Sequence, residues 1–333
     1  MKSWPNYQPD PDRFVVFRAR AGNGGLGDRL VGIISTFVLA LVTQRQFRIE
    51  WNSPFPLRLA WQPASSRFLW DSMDYDPAAF SELKLVDRMP AASAELLREA
   101  ILREAGVTLA VEANQHFFTY LLGNPHLRDV VAAYDFPPPE ILARQILQAL
   151  FVPSPRLLAK LSAAKAILRE KNSIGVQIRT LWNWQDAGGG LDAEDLDRFQ
   201  ACAQHLLDEQ AANVLLVSSD DARVVNEFRG RFAHQEVLAI MNKPIHLDRS
   251  VQVGEEEYLA TFLNLGLLAE CRHLIVSSWS NFGRIAALLT GRRPWVTRKS
   301  QGATAYTQLP AAFSQMDLTE LVSKEGLSNG GHV

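Results

Sequence analysis

The 333-residue sequence is poor in cysteine, has no apolar run long enough to cross a bilayer and carries no excess of either charge sign. Its two cysteines, Cys202 and Cys271, lack metal-ligand spacing, and a reduced cytosolic state is the default reading. The longest apolar stretch, Leu30 to Val42, falls short of the roughly 18 residues a span needs and contains Ser35 and Thr36, so it predicts a buried helix. The opening MKSWPNYQPDPDR holds no apolar signal-peptide core, and the chain has no Asn-x-Ser/Thr acceptor. Together these predict a cytoplasmic protein with no integral membrane segment. Lys and Arg total 34 against 36 Asp and Glu, a net charge of −2 that advertises no nucleic-acid surface. A Walker A loop is excluded because no Gly-Lys-Ser/Thr follows the glycine-rich stretch, and no Gly-x-Ser-x-Gly elbow marks an α/β-hydrolase. The histidines form no cluster; His116 and His126 are read as core or surface residues.

What the chain does contain is enough apolar residue, 47%, for two ordinary domains. Phe14–Phe17 reads as a strand, AGNGGLGDRL as a glycine-rich turn, the run to Thr43 as a helix and Gln46–Trp51 as a second strand, a βαβ opening with parallel neighbours. Residues 52–90 read as surface loops or short elements. A helix is expected over 95–105, a strand over 107–111, and an ambiguous piece over 114–122. The prolines at 137–139, 153 and 155 bracket a hinge. From 157 onward strands and helices alternate regularly, the pattern of an open parallel α/β sheet. In such sheets ligands bind beyond the carboxyl ends of the strands. Three of those ends are chemically loaded: Gln177-Ile178-Arg179, Val217 to Asp221, and Val276 to Asn281.

The third joint concentrates free helix N–H groups with Ser and Asn side chains, which suits a phosphate. The competing reading is that Ser280 or Asn281 caps the helix. Arg179 ends an apolar strand, where a charge is costly unless it meets an anion. Either a phosphate or an ion pair with Asp186 or Asp220 satisfies it. Trp182 and Trp184 suit either the core or a sugar-stacking face. Gly22-x-Gly24-x-x-Gly27, with Glu50 at the end of the next strand, fits a dinucleotide fingerprint and hence an NAD(P)-dependent oxidoreductase. The Asp-x-Asp beginning at Asp195 and the neighbouring Asp192 sit in a first helical turn and read as dipole-favoured or capping groups rather than metal ligands.

Three blocks carry a resemblance. Gly24 to Leu30 (GGLGDRL), Gly175 to Thr180 (GVQIRT) and Ser277 to Gly283 (SSWSNFG), running on to Arg293-Pro294-Trp295-Val296, resemble the GDP-fucose-dependent fucosyltransferases, above all the plant xyloglucan α-1,2-fucosyltransferases. The resemblance implies a GT-B architecture of two Rossmann-like domains facing across a cleft: an N-terminal acceptor-side domain over 1–155, a GDP-sugar-binding domain over 156–310, and a helix with a disordered tail over 311–333. It implies a metal-independent, inverting transfer of L-fucose from GDP-fucose, as donor substrate, to a glycan acceptor, with a galactosyl 2-OH as the expected target. No cofactor or metal is implied. By position Arg179 corresponds to the pyrophosphate-binding arginine. Ser218, Ser219, Asp220 and Asp221 lie where the guanosine is held, and Ser278, Ser280, Asn281 and Phe282 match the phosphate-binding turn. Gly25, Gly27 and Arg29 face the donor from across the cleft, and Arg29 or Arg284 is expected to assist in holding the charge; Asp28 is the first choice of base, Asp186 the second, and a reaction with no side-chain base stays open. The chain departs from the pattern in having Asp28 where Asn is usual, in the WNWQDAGGG insertion after Arg179, and in lacking a membrane anchor. Donors other than GDP-fucose, and a non-catalytic carbohydrate-binding relative, remain open.

Overall fold

The computed structural model describes residues 8–72, 74–75, 80–86, 108–114, 116–180, 193–210, 212–239, 254–277, 280–297 and 306–308. The chain begins with strand β1 (Asp10–Ala19), helix α1 (Leu26–Val42) and strand β2 (Arg45–Trp51). Helix α1 is apolar on nearly every side, and all of its residues except Asp28 are buried, as expected of a helix enclosed by other elements. Its two central hydroxyls find internal partners: Thr36 Oγ1 donates to the Gly32 carbonyl at 2.7 Å, and Ser35 Oγ accepts from the Phe117 N–H at 3.1 Å. Gly32 is required for the close approach of α1 to the sheet, since a Cβ there would stand 2.2 Å from the Ala113 carbonyl oxygen.

Strands β3 (Trp61–Pro63), β4 (Phe80–Leu85) and β5 (Thr108–Ala113) follow, then helices α2 (Phe118–Gly123), α3 (Arg128–Ala132) and α4 (Pro139–Leu150), strand β6 (Phe151–Pro153) and helix α5 (Pro155–Glu170). The N-terminal sheet is parallel, in the order β2-β1-β5-β4, and β3 pairs antiparallel with β6. Two of these strands, β3 and β4, are the short elements within 52–90, a segment the sequence reads as loops or short elements. In β4 the period-two alternation of exposed Glu82 and Lys84 with buried Leu83 and Leu85 is that of an edge strand with one buried face. Prolines 139 and 155 occupy first helical turns, where a missing N–H costs nothing, and Ser154 caps α5 by accepting from the Leu157 N–H at 3.2 Å. The helix expected over 95–105 lies outside the described residues, as does the segment 311–333 read as a helix with a disordered tail.

The second half runs β7 (Ser173–Ile178), α6 (Ala193–Gln210), β8 (Val214–Ser219), α7 (Ala222–Arg231), β9 (Glu236–Ala239), α8 (Glu255–Leu268), β10 (His273–Ser277), α9 (Asn281–Thr290), β11 (Trp295–Thr297) and β12 (Tyr306–Gln308). Its sheet has the order β12-β11-β10-β7-β8-β9, parallel except for β12. From β7 the chain steps outward through β8 to β9, then returns to lay β10 on the other side of β7. The order therefore reverses between β7 and β10, and a crevice opens at their carboxyl ends. One apolar cluster is continuous from Phe17 and Phe37 through Tyr258 and Phe262 to Val276 and Ile285, because α1 packs directly on α9. A second cluster, around Val176, Phe199 and Phe228, fills the other face of the C-terminal sheet. Among the described residues no helix is long and apolar enough to cross a membrane.

Candidate functional site

The reversal point brings the three loaded strand ends together. Beyond β7, the Arg179 N–H donates to Ser277 Oγ on β10 at 3.0 Å, tying the two strand ends to each other. Beyond β8, Asp220 reaches back to the end of β7. Its Oδ1 accepts from the Thr180 N–H at 2.8 Å and from Thr180 Oγ1 at 2.9 Å, and its Oδ2 lies 3.1 Å from Arg179 Nη1. The ion pair with Asp220 expected as the alternative fate of Arg179 is thus present. It leaves the Arg179 side chain a quarter exposed at the crevice and fixes the guanidinium from behind. Asp220, with both oxygens engaged by the two residues just beyond β7, ties the strand ends together.

Asp221 also departs from its expected place. It is the N-cap of α7, its Oδ1 accepting from the Arg223 N–H at 2.9 Å, and it pairs with the Arg223 side chain at 2.7 Å. Its position immediately before an amphipathic helix is the ordinary signal for that role. Ser218 is nearly buried at the end of β8, and Ser219 Oγ accepts from the Asp221 N–H at 3.1 Å, so both shape the β8 turn.

At the third joint the structure separates the two readings of the turn. Ser280 occupies the N-cap position of α9, but its side chain makes no capping bond. Asn281 directs its side chain away from the helix, donating from Nδ2 to Asp28 Oδ1 at 2.7 Å. The start of α9 therefore carries no side-chain cap and follows directly on Ser277, whose Oγ holds the Arg179 N–H, an arrangement with the elements of an anion site. Gly283 lets this helix start close over the sheet, since a Cβ there would lie 2.6 Å from Gln177 Oε1 and 2.8 Å from Val276 Cβ. That Gln177 oxygen is buried beneath α9 with no hydrogen-bond partner among the described residues. Ser278, Trp182, Trp184, Asp186 and Asp192 lie outside the described residues.

The glycine-rich loop faces this joint. Gly27 abuts the backbone of the α9 start: a Cβ at Gly27 would fall 2.3 Å from the Phe282 nitrogen. The close approach that a fingerprint glycine grants to a pyrophosphate is here granted to protein backbone. Glu50, the expected ribose ligand, is instead bonded to Arg18 Nε at 2.8 Å. Both features displace the dinucleotide reading of the loop. Gly25 is the N-cap of α1, and its N–H donates to Asp28 Oδ2 at 2.9 Å. Asp28, expected as the base, thus accepts one bond on each oxygen, from its own loop and from Asn281. In the structure these bonds make Asp28 a link between the two halves of the chain. Arg29 is fully buried and donates to the carbonyls of Gly24 (3.2 Å), Ser53 (2.6 Å) and Arg20 (3.2 Å), with its guanidinium 4.9 Å from the Trp51 ring centre. It staples the loop from inside, which corrects the expectation that it touches a ligand.

Two further residues lie near this contact, Arg284, expected to assist in holding the charge, and His116, read from the sequence only as a core or surface residue. Arg284, one turn into α9, is largely buried, and burial lowers the pKa of its guanidinium. His116, just beyond β5, packs edge-on against Phe118 at 4.3 Å. Its Nε2 is enclosed, and burial, reinforced by the charge of Arg284, lowers its pKa to about 4. The imidazole is neutral at physiological pH. Neither residue has a local motif; they meet through tertiary packing. Cys202 and Cys271 are buried, and burial pushes both thiols up to about 12, so neither is a nucleophile. Among the described residues no group of three His, Cys, Asp or Glu side chains is placed to hold a metal.

The sequence matches no family model and no curated protein. Solved structures do match. Over 93% of this chain and 76% of its own, a mutant of Arabidopsis thaliana FUT1 in complex with GDP superposes with a TM-score of 0.69 at 16% identity. NodZ α-1,6-fucosyltransferase soaked with GDP-fucose does so with 0.58 at 19% identity, covering 90% of this chain and 99% of that one. POFUT1 in complex with GDP gives 0.54 at 11% identity, covering 86% and 98%. At these identities what is shared is the fold, and the architecture is GT-B: two Rossmann-like sheets that meet where the glycine-rich loop touches the start of α9.

Proposed function

We propose that the protein is a fucosyltransferase that moves L-fucose from GDP-fucose to a hydroxyl of a glycan with inversion, a galactosyl 2-OH being the expected acceptor group. The observation that carries this reading is the uncapped start of α9 beside the partly exposed Arg179, at the point where the C-terminal strand order reverses. The fold is shared with structures solved with GDP and soaked with GDP-fucose, which supports GDP as the nucleotide.

In the reaction an acceptor oxygen attacks the anomeric carbon, and the bond from that carbon to the β-phosphate oxygen breaks. GDP leaves with the bonding electron pair, and the acceptor proton passes to solvent or a base. Charge accumulates on the pyrophosphate in the transition state, so the groups that matter are those that meet it: the Arg179 guanidinium and the N–H groups opening α9. Both are fixed before the reaction, Arg179 by Asp220 and the helix start by the Asn281–Asp28 bond, so little reorganisation is needed when the charge develops. Ser278, Ser280 and Phe282 belong to the same turn and are assigned to the phosphate; Ser218 and Ser219 to the nucleoside.

A panel of nucleotides and sugar nucleotides tests this. GDP and GDP-fucose are expected to raise the melting temperature while NAD and NADP leave it unchanged, and GDP is expected to be released when GDP-fucose meets a galactosylated acceptor. Protection by NADP in place of GDP would transfer the assignment to an oxidoreductase. Glycan binding without GDP release would leave a non-catalytic binding protein.

A further inference from the structure

The N-terminal sheet carries a second concave site that the donor reading does not use. A cavity of about 310 Å³ opens at the carboxyl ends of β1, β4 and β5, closed on one side by the start of the glycine-rich loop. That volume is at the lower end of the range for small-molecule sites, and its place follows the rule for parallel sheets.

Its chemistry comes from strand register. On β1, Val15, Phe17 and Ala19 face the main core with α1, while Phe14 and Val16 cluster with Tyr75 on the opposite face, the face that Arg18 shares. Arg18 pairs in register with Glu50 on β2, and Lys84 on β4 with Glu112 on β5. The β1–β5 pairing Phe17↔Val111 sets Arg18 and Glu112 one step further on. The result is a single row across all four strands, Glu50–Arg18–Glu112–Lys84, whose charges alternate. Arg18 Nε lies 2.8 Å from Glu50 and Nη1 3.3 Å from Glu82, and Arg20 Nε lies 3.1 Å from Glu112. Asn23, buried at the loop side, is fixed by its amide bond to the Arg18 carbonyl at 2.7 Å.

Donors and acceptors therefore alternate along the polar part of the lining, Arg18, Glu82, Lys84 and Glu112, beside the apolar Ala21, Leu83, Val86 and Ala110. An anion is met by donors alone, and a cation by acceptors alone. A sugar hydroxyl both donates and accepts, and neighbouring hydroxyls match a surface on which guanidinium, ammonium and carboxylate groups alternate with little net charge. We propose that the part of this row lining the cavity, Arg18, Glu112 and Lys84, with Arg20, Asn23 and Glu82, is a binding subsite for a neutral, hydroxyl-rich saccharide. The inference rests on the glycan-transfer reading, for which it supplies an acceptor subsite. The loop that closes the cavity at Gly22 and Asn23 runs on within five residues to Asp28 and the contact with α9, so a sugar held there is tied to the donor side by one short segment.

The test is calorimetric titration with neutral oligosaccharides ending in galactose, glucose or N-acetylglucosamine, and with a matched set ending in a uronic acid. The wild-type chain is compared with Lys84→Gln and Glu112→Gln, after melting curves establish that the variants are folded. Lys84 is exposed, so its substitution leaves the core untouched. The expected result is binding of at least one neutral saccharide, weakened tenfold or more in each variant, with GDP affinity within twofold of wild type. Undiminished saccharide binding in both variants, binding confined to the uronic acids, or GDP binding with no neutral saccharide bound would each overturn the proposal. Saccharide binding that depends on Lys84 and Glu112 in a protein that fails to bind GDP would uphold the subsite and refute the transferase reading instead.

Discussion

The two strand-to-helix joints that meet in the middle of the molecule look alike in sequence and are built for opposite purposes. At the β1–α1 joint the groups that open the helix are bound within the protein, Asp28 to both its own loop and Asn281. Asp28 accepts from Gly25, Arg29 holds three carbonyls of the surrounding loops, and Asn23 holds the Arg18 carbonyl. The β10–α9 joint keeps its groups for something else: Ser280 does not cap, Asn281 turns to the other joint, and Arg179 stands beside the helix start. A polar turn satisfied internally is a structural element, and one left facing a crevice is a binding surface. Glycine richness alone does not distinguish them, which is why the first joint reads as a dinucleotide fingerprint until its hydrogen bonds are known.

This contrast is broken if damage to the first joint abolishes ligand binding without loss of stability. The largest stability effect is expected from Arg29→Met, which keeps much of the side-chain volume but removes the buried donor from three carbonyl groups at the base of the loop. Charge-assisted hydrogen bonds contribute about 1.5–3 kcal/mol each, with incomplete additivity, so a loss of about 3–5 kcal/mol is expected in chemical denaturation. GDP affinity of the fraction that remains folded should change little.

Acidification comes next. The native pKa of His116 lies near 4, below the unfolded value of roughly 6.5, so the unfolded chain takes up the proton first. Stability from this residue is intact above that window and declines as the pH falls through it. By pH 4 about 3 kcal/mol is lost, at about 1.4 kcal/mol per unit. His116→Gln should flatten this part of the stability–pH curve; an unchanged slope would show that His116 is not the group responsible. A smaller effect, about 1–3 kcal/mol together with reduced turnover, is expected of Gly27→Ala, whose methyl would force the two joints apart at the Phe282 backbone. An unaltered melting temperature and full activity would mean that the contact between the joints is not required.

Much of the framework was legible in the sequence because apolar periodicity and turn chemistry coincide. The βαβ opening, the alternation after residue 157 and the position of Arg179 at a strand end all follow from local pattern. Strand β4 was not read because its alternation rests on two leucines, Leu83 and Leu85, within a segment rich in prolines and aromatics. The contacts of Asp28 and Arg29 were not legible for a different reason. Asp28 meets Asn281 across 253 residues of sequence, and the Arg29 guanidinium reaches the Ser53 carbonyl from the neighbouring strand's end, contacts no local pattern encodes. Asp221 is the instructive miss: its capping signal is local and was present, but proximity to a loaded strand end drew the assignment toward a ligand.

The central claim is that the β10–α9 joint and Arg179 hold a nucleoside diphosphate. Titration of GDP into the wild-type protein and Arg179→Ala measures it directly. The prediction is binding by the wild type and a loss of about 10²–10³ in turnover with clearly weakened GDP affinity in the variant, at nearly unchanged melting temperature. Equal GDP affinity and turnover in the two proteins would contradict the account.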